Sequence, residues 1–382
     1  MFFSMLLDPE SWENVKLIHA GTHPGVLEAL GTTEKMISYR QLFDDKGEYK
    51  LRDQVRQAQA MNPKDQGTFE KTIIKLDEKV NIANMVFTGR LLKIFPLPGD
   101  PSHRWASPAD MQENKFPHED MNSQYMNFSS ALVNTGQGNA ENLETALHSL
   151  AEYQARHSGS VLPSESKVKA ELLLNQLDIF GRLRNIYGML SLVFLGVFFY
   201  TIFRHDKDFT GITRYGWWVI FGFFVLHTFG LALRWYVSGR APWSNGYESM
   251  IYISWTTVLA GLIFSRRSLG GMSATLVLAA TILLVASMSW LDPEITPLVP
   301  VLRSYWLTIH VSLEAGSYGF LMLGAVIGML NLILMIVAGN TSKDRIYRTI
   351  RELTTISEIT LWAGLFMVSV GTYLGGVWAI SF

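Results

Sequence analysis

The chain has 382 residues, of which 48% are hydrophobic and 17% charged, and its formal net charge is -1. This near-neutral charge, with no long basic run, excludes nucleic acid as a partner, because phosphate binding needs clustered Lys and Arg. The absence of cysteine excludes disulfides, thiolate metal sites and thiol nucleophiles, and the chain carries no Cys-x-x-Cys-His haem attachment sequence of its own.

Tryptophan and charge divide the chain into two parts. Nine of the eleven tryptophans follow Ile186, whereas most charged residues precede it. This distribution predicts a predominantly α-helical integral membrane protein. A mixed, mostly helical soluble region is expected at residues 1–185, and a membrane domain at residues 186–382.

Hydrophobic periodicity and turn residues predict the elements of the soluble region. Pro24 and Gly31 fit the start and the end of a short helix. Residues 99–128 are expected to form a long polar connection. The predicted strands are residues 15–20 and 32–43, and the predicted helices are residues 23–31, 49–61, 68–93, 141–157 and 166–183.

The histidines of the soluble region are interpreted as surface or structural residues. Only His19 and His23 have the four-residue offset that places two metal ligands on one helix face. Gly21 and Pro24 argue against a helix at that position. The remaining histidines of this region are His103, His118, His148 and His157.

Six apolar runs in the second part are long enough to be predicted as transmembrane helices. The third run is short, and the alternative for it is a buried core helix, although Tyr247 and Trp255 could anchor it at the membrane interface. The predicted spans are residues 186–203, 215–235, 250–264, 272–290, 316–337 and 361–380.

Lys and Arg are distributed unequally between the two faces of these spans. The loops after the second and fourth spans contain only Arg234, Arg240 and Arg303. Because positive charge stays on the cytoplasmic side, these loops and residues 1–185 are predicted to be external. The loops after the first, third and fifth spans contain nine basic residues: Arg204, Lys207, Arg214, Arg266, Arg267, Lys343, Arg345, Arg348 and Arg351.

An external amino-terminal region has to be exported across the membrane. Residues 1–7 are too short for a signal peptide and are followed at once by Asp8, Pro9 and Glu10. We therefore expect this chain to be a piece of a longer membrane protein, whose earlier spans begin the translocation.

The external segment 234–249 combines aromatic rings, two arginines and the carboxylate of Glu248. Such a surface suits a planar, apolar ligand that carries acidic groups, because rings supply contact area and guanidinium groups bind carboxylates. The alternative is an interfacial aromatic belt with snorkelling arginines.

A second external segment, residues 302–312, contains His310 one helical turn after Trp306. A neutral imidazole at this place could be an axial ligand of haem iron, or it could bond a backbone carbonyl. Glu314 could orient His310, complete a hydrogen-bond network or face water. His227 lies within the second span, where an ionisable residue suggests function, and the alternative is a neutral histidine bonded to a neighbouring helix.

These segments resemble the CcsA (ResC) family of System II cytochrome c biogenesis proteins. The soluble region, with Pro163-Ser164-Glu165-Ser166-Lys167-Val168, resembles the external ResB-like region of fused CcsBA proteins. The residues that match CcsA are Trp243-Ser244-Asn245-Gly246-Tyr247-Glu248-Ser249 after Arg240-Ala241-Pro242, and Leu302-x-Ser304-x-Trp306-Leu307-x-Ile309-His310-Val311.

The resemblance implies a protein of the bacterial inner membrane, with residues 1–185 in the periplasm. It implies haem delivery to the outer face and covalent attachment of haem to Cys-x-x-Cys-His of an apocytochrome c. Haem b would be the substrate, His310 an axial ligand of its iron, and Trp306, Trp243 and Trp378 haem contacts. The protein would position the haem and protect its redox state while vinyl groups and cysteine thiols form thioether bonds. No catalytic acid, base or nucleophile is indicated.

The resemblance stops in the last span. Gly375-Gly376-Val377-Trp378-Ala379 is similar to the approach to the Trp-rich haem-binding segment of the family, but Ile380-Ser381-Phe382 stands where that segment would continue. We therefore expect an incomplete synthase fragment that contributes one haem ligand. The alternatives are a multi-span transporter and a structural assembly subunit that does not ligate haem.

Overall fold

The computed structural model describes residues 2–136, 142–203, 210–296, 304–338 and 344–380. The chain forms two units, Met1–Pro163 and Ser164–Phe382. The sequence places a boundary at residue 185, between a soluble region and a membrane domain, and this boundary stays a prediction. The structural boundary lies just before the helix that leads into the first span.

The first unit combines helices with two antiparallel strand pairs, β1 with β2 and β3 with β4. In chain order, its described elements are α1 Phe2–Leu7, α2 Pro9–Glu13, β1 Lys16–His19, α3 Pro24–Leu30, β2 Met36–Ser38, α4 Arg52–Ala60, α5 Thr68–Phe87, β3 Phe95–Pro96, β4 Trp105–Ala106, α6 Pro108–Gln112, α7 Glu119–Gly136 and α8 Leu143–His157.

Several predicted elements of this unit are confirmed. Strand β1 and helices α3, α4 and α8 form where the sequence predicts them. Helix α3 begins at Pro24 and ends at Leu30, and the following residue, Gly31, adopts the left-handed conformation with φ of 69°. Only a residue without Cβ adopts this conformation at little cost, so the sequence signal and the helix end coincide.

Other predictions for this unit are wrong in extent. The strand expected at residues 32–43 is limited to β2, because a 3-10 turn follows at Arg40–Leu42. Helix α5 ends before the predicted residue 93, since Gly89 turns the chain with φ of 69°. The connection expected at residues 99–128 contains β4, α6 and the start of α7. A capping box between Ser107 and Asp110 begins α6.

The first unit has two hydrophobic cores among its described residues. One lies between β1, β2, α3 and α5 and contains Ile37, Leu42 and Ile73. The other lies between β3, α7 and α8 and contains Phe95, Met121 and Tyr153. The hydroxyl of Tyr153 donates a hydrogen bond of 2.9 Å to the carbonyl of Pro96, and burial raises the pKa of this hydroxyl to about 12.

The second unit is a bundle of long helices. Asp178 takes a positive φ of 39° and interrupts the first of them, so the helix of the first span begins at Ile179 rather than at residue 186. The described helices are α9 Glu165–Leu177, α10 Ile179–Phe203, α11 Thr210–Ser238, α12 Gly246–Phe264, α13 Leu269–Ala286, α14 Tyr305–Ala338 and α15 Asp344–Ile380.

The predicted helical membrane fold is confirmed. Among the described residues, five segments are long and apolar enough to cross a membrane: Glu165–Ile202, Thr210–Ser238, Leu269–Ala286, Tyr305–Ala338 and Ile346–Ile380. The third predicted span is present as α12, which does not meet this criterion because its first turns contain Tyr247, Glu248 and Tyr252. Helix α12 packs against α11, α13, α14 and α15, and much of it is buried. Its polar residues Glu248, Ser254, Thr256 and Thr257 are buried within the protein.

Helices α14 and α15 pack along each other through small residues. A Cβ on Gly324 would lie 2.7 Å from Leu361, and a Cβ on Gly364 would lie 2.8 Å from Leu321. Such close approach is typical of helix pairs in membranes, where small residues let van der Waals contact stabilise the pair. Of the residues used to predict orientation, Arg204, Lys207, Arg303 and Lys343 lie outside the described residues.

Tyr153→Phe is expected to lower the free energy of unfolding of the first unit by about 1 kcal/mol or more, because the buried carbonyl of Pro96 loses its donor. Tyr125→Phe removes a hydroxyl whose hydrogen bond, within the described residues, is the one it accepts from exposed Gln112. It should change the free energy of unfolding by less than about 0.5 kcal/mol. Urea unfolding of the whole chain in detergent, followed by hydrogen exchange in residues 94–106, measures both. Equal effects of the two substitutions would contradict a stabilising role for the hydrogen bond from Tyr153 to Pro96.

Candidate functional site

Glu248 is the centre of a buried ion network at the start of α12. Its side chain is fully buried and accepts hydrogen bonds from Arg234 Nε at 3.1 Å and from Arg240 Nη1 at 2.8 Å. The backbone N–H of Ser244 donates to Oε2 at 2.9 Å, and Asn245 Oδ1 caps the helix. The carboxylate also lies in the first turn of α12, where the helix dipole favours negative charge.

The two arginines join this network to residues 291–296. Arg234 Nη2 donates to the carbonyl of Pro293 at 2.9 Å, and Arg240 Nη2 donates to the carbonyl of Thr296 at 3.0 Å. Arg234 is 4% exposed and its guanidinium group lies over the ring of Tyr247. The sequence suggests that the guanidinium groups of Arg234 and Arg240 bind the acidic groups of a ligand. In the structure, these groups bond largely within the protein and position the segment 234–249.

Trp243 connects the segment 234–249 to α14. Its Nε1 donates to the carbonyl of Thr308, in the first turn of α14, at 3.2 Å. Its ring lies edge-on to Trp235, with centroids 5.7 Å apart, and 4.6 Å from the ring of Tyr252. Tyr252 in turn stacks on Trp255. The predicted aromatic surface is thus a continuous row of rings that extends from the loop into the bundle.

His310 lies in α14 and contacts α15. Its Nδ1 is 2.7 Å from the carbonyl oxygen of Gly371. A carbonyl only accepts, so Nδ1 carries the proton and, in the neutral ring, Nε2 keeps its lone pair. Within the described part of the chain, no hydrogen bond to Nε2 is formed. A backbone carbonyl bonded to one ring nitrogen, with the other free, is the arrangement typical of metal-ligating histidines.

Glu314 bonds to α15 rather than to His310. Its Oε1 accepts a hydrogen bond of 2.7 Å from the hydroxyl of Thr372. Of the three roles open to Glu314 from the sequence, the structure shows the network role. The group that orients His310 is the carbonyl of Gly371, which the sequence analysis missed. The spacing Gly371-x-x-x-Gly375 was a signal of close helix approach.

The remaining predicted residues have different surroundings. Trp306 precedes His310 by one helical turn and its side chain is 42% exposed. Trp378 follows Gly375 by three residues, which places it on the same side of α15. His227 is buried in the bundle and its Nε2 donates to the carbonyl of Ile251 in α12 at 3.1 Å. This bond agrees with the structural alternative for His227.

No group of three or more His, Asp or Glu side chains lies close enough to hold a metal ion in the described ranges. His310 is therefore a single candidate ligand. A single protein ligand suits haem iron, whose four equatorial ligands come from the porphyrin. The site combines this imidazole, an exposed tryptophan one turn away and a row of aromatic rings held by a buried ion network.

This fold and site define a helical membrane protein with an aromatic and histidine-containing site at helix ends. Residues 243–382 match the family model described as Cytochrome C assembly protein. The chain is 39% identical to Protein NrfI of Wolinella succinogenes over 382 residues, which cover 98% of this chain and 41% of that protein.

Shorter matches are found to proteins named Cytochrome c biogenesis protein CcsA. The one from Synechococcus sp. (strain CC9902) is 30% identical over 183 residues, covering 41% of this chain and 60% of that protein. The one from Chlorella vulgaris is 36% identical over 135 residues, covering 34% and 41%. The chain thus spans less than two thirds of the length of these relatives. Together, the matches support a CcsA-type cytochrome c biogenesis protein.

Glu248→Gln is expected to destabilise the second unit by about 3 kcal/mol or more, because the buried guanidinium group of Arg234 and the partly buried one of Arg240 lose their counter-charge. Glu294→Gln makes the same chemical change at an exposed side chain of the neighbouring loop, and it should change stability by less than about 0.5 kcal/mol. Thermal unfolding of both variants in the same detergent measures the difference. Similar midpoints would show that Glu248 does not hold the segment 234–249.

Proposed function

We propose that the chain acts in haem delivery to the outer membrane face and in covalent attachment of haem to apocytochrome c, as part of a cytochrome c synthase. The observation that carries this proposal is the bond from His310 Nδ1 to the Gly371 carbonyl, which leaves Nε2 for the iron of haem b. The family match of residues 243–382 and the similarity to cytochrome c biogenesis proteins named CcsA support it.

The residues around His310 suit a planar, apolar substrate. The exposed ring of Trp306 offers a surface for a porphyrin face one turn from the ligating nitrogen, and Trp378 lies on the same side of α15 as the glycines beside His310. Trp243 fixes the segment 234–249 to the first turn of α14. These residues would hold and orient haem b, since aromatic rings provide large contact areas with little loss of side-chain entropy.

The attachment reaction requires no acid or base from these residues. The S–H bond of each apocytochrome thiol adds across one haem vinyl double bond, so a C–S bond and a C–H bond form and no group leaves. The thiols come from the apocytochrome, because this chain has no cysteine. What this chain would contribute is a fixed place for the haem iron and the exclusion of water around the vinyl groups.

The same proposal includes the location of the parts. Residues 1–185 would be a ResB-like region in the periplasm, and residues 186–382 a CcsA-like domain in the bacterial inner membrane. The support is the excess of Lys and Arg in the loops after the first, third and fifth spans.

His310→Ala in the whole chain should lower the haem b retained on purification roughly tenfold or more. Loss of the hydrogen-bond partner of a metal ligand commonly lowers metal affinity about tenfold, and loss of the ligand itself should lower it at least as much. Added imidazole should partly restore the absorption spectrum by filling the vacant iron position. His148→Ala, at an exposed histidine of the first unit, is the control and should retain haem as the parent does. An unchanged spectrum in His310→Ala would favour an assembly subunit that does not ligate haem.

Single cysteines in this cysteine-free chain test the orientation. Ser164→Cys and Asp292→Cys should react with an impermeant thiol reagent in intact cells, because both positions are exposed and predicted to be external. Tyr347→Cys is also exposed and should react only after the membrane is permeabilised. Labelling of Tyr347→Cys in intact cells would show that the predicted orientation is wrong.

A further inference from the structure

Gly371 and Gly375 of α15 lie one helical turn apart against α14. A Cβ on Gly375 would lie 2.7 Å from Cε1, 2.9 Å from Nδ1 and 3.1 Å from Nε2 of His310. A Cβ on Gly371 would lie 3.2 Å from Cγ of Glu314. The space that side chains at these positions would fill is therefore occupied by the imidazole and by the carboxylate side chain of α14.

The glycine at position 375 also exposes the carbonyl that His310 uses. In an α-helix the carbonyl of residue 371 accepts the N–H of residue 375, and the Cβ of each residue tilts toward the helix N-terminus. A side chain at position 375 would thus lie beside the carbonyl of Gly371. With glycine there, the second lone pair of this carbonyl is open and accepts Nδ1–H of His310 at 2.7 Å.

We infer that Gly375 is a positioning residue for haem ligation. It gives the His310 ring a fixed place on α15 and leaves the Gly371 carbonyl open, so that the ring keeps its proton on Nδ1 and offers Nε2 to iron. This inference rests on the proposed function and extends it to a residue that touches the ligand histidine rather than the haem.

A side chain at position 375 should act on the ring and leave the helix pair intact. The three nearest atoms to the added Cβ all belong to the imidazole of His310, and none is a backbone atom. A side-chain end can rotate away, whereas a backbone clash would separate the helices. Gly375→Ala should therefore break the bond to Gly371 and misplace Nε2 without unfolding the bundle.

The neighbouring glycine supplies a matched control. Among the described residues, a Cβ on Gly376 would meet no atom of another helix within 4 Å. Gly376→Ala thus makes the same chemical change, in the same turn of the same helix, without contact to His310. Both variants carry the same gain in helix propensity over glycine.

The experiment titrates the whole chain in detergent with haemin and records the absorption spectrum for the parent, Gly375→Ala, Gly376→Ala, His310→Ala and the double variant Gly375→Ala with His310→Ala. Gly376→Ala should bind within about twofold of the parent. Gly375→Ala should bind roughly tenfold or more weakly, as expected when the partner behind a metal ligand is lost. Added imidazole should partly restore haem binding, and the double variant should bind no more weakly than His310→Ala.

Equal affinities of Gly375→Ala and Gly376→Ala would overturn the inference. It would also be overturned by a Gly375→Ala defect that imidazole does not restore, or by one that adds fully to that of His310→Ala, because either result means that Gly375 does not act through His310. Parent-like binding by His310→Ala would instead refute the proposed function itself, so the two failures are distinguishable.

Discussion

Polar groups inside an apolar helix bundle must find their partners within the protein, because hydrocarbon offers no hydrogen bonds. Several polar side chains of the second unit meet this constraint by bonding to a neighbouring helix or loop. His227 bonds the carbonyl of Ile251, Asn331 bonds the carbonyl of Ile350, and His310 bonds the carbonyl of Gly371. Glu248 takes both arginines of the segment 234–249. These bonds determine which helix faces meet, since apolar contacts alone discriminate little between faces in a lipid environment.

The same bonds prepare the site. The contact that satisfies His310 within the bundle also fixes the proton on Nδ1, and thereby leaves Nε2 as the free nitrogen. The network around Glu248 fixes the loop that carries Trp243, and Trp243 fixes this loop to the first turn of α14 through Thr308. The same hydrogen bonds therefore satisfy buried polar groups and position the residues of the candidate site. A substitution at Glu248 is expected to displace the segment 234–249, whereas one at Gly375 is expected to displace the His310 ring. The controls at the exposed positions Glu294 and Gly376 show whether each effect depends on these contacts.

Much of the fold could be predicted from the sequence, because long apolar runs and glycine or proline punctuation depend on neighbouring residues alone. Five of the six predicted spans lie within helices, whereas the fourth, predicted at residues 272–290, runs past the end of α13 at Ala286. The start and end of α3 follow Pro24 and Gly31. The starts of α14 and α15 could not be predicted, since α14 begins with an aromatic and mixed-polarity stretch and α15 with charged residues, both before the apolar run. His310 and Trp306 were identifiable from spacing and resemblance. The partner of His310 was not, because the contact with Gly371 depends on the register between two helices.

The carbonyl of Gly371 is expected to hold the proton of His310 on Nδ1 and so to leave Nε2 for haem iron, and the protonation of this ring tests that expectation most directly. Nitrogen-15 NMR of the haem-free chain, with labelled histidine and with His310→Ala to assign the signals, distinguishes a protonated from an unprotonated ring nitrogen. We expect a protonated Nδ1 and an unprotonated Nε2, and we expect haemin to perturb the Nε2 signal while Nδ1 stays protonated. A ring protonated on Nε2, or an Nε2 signal unchanged by haemin, would contradict ligation of haem through Nε2 of His310.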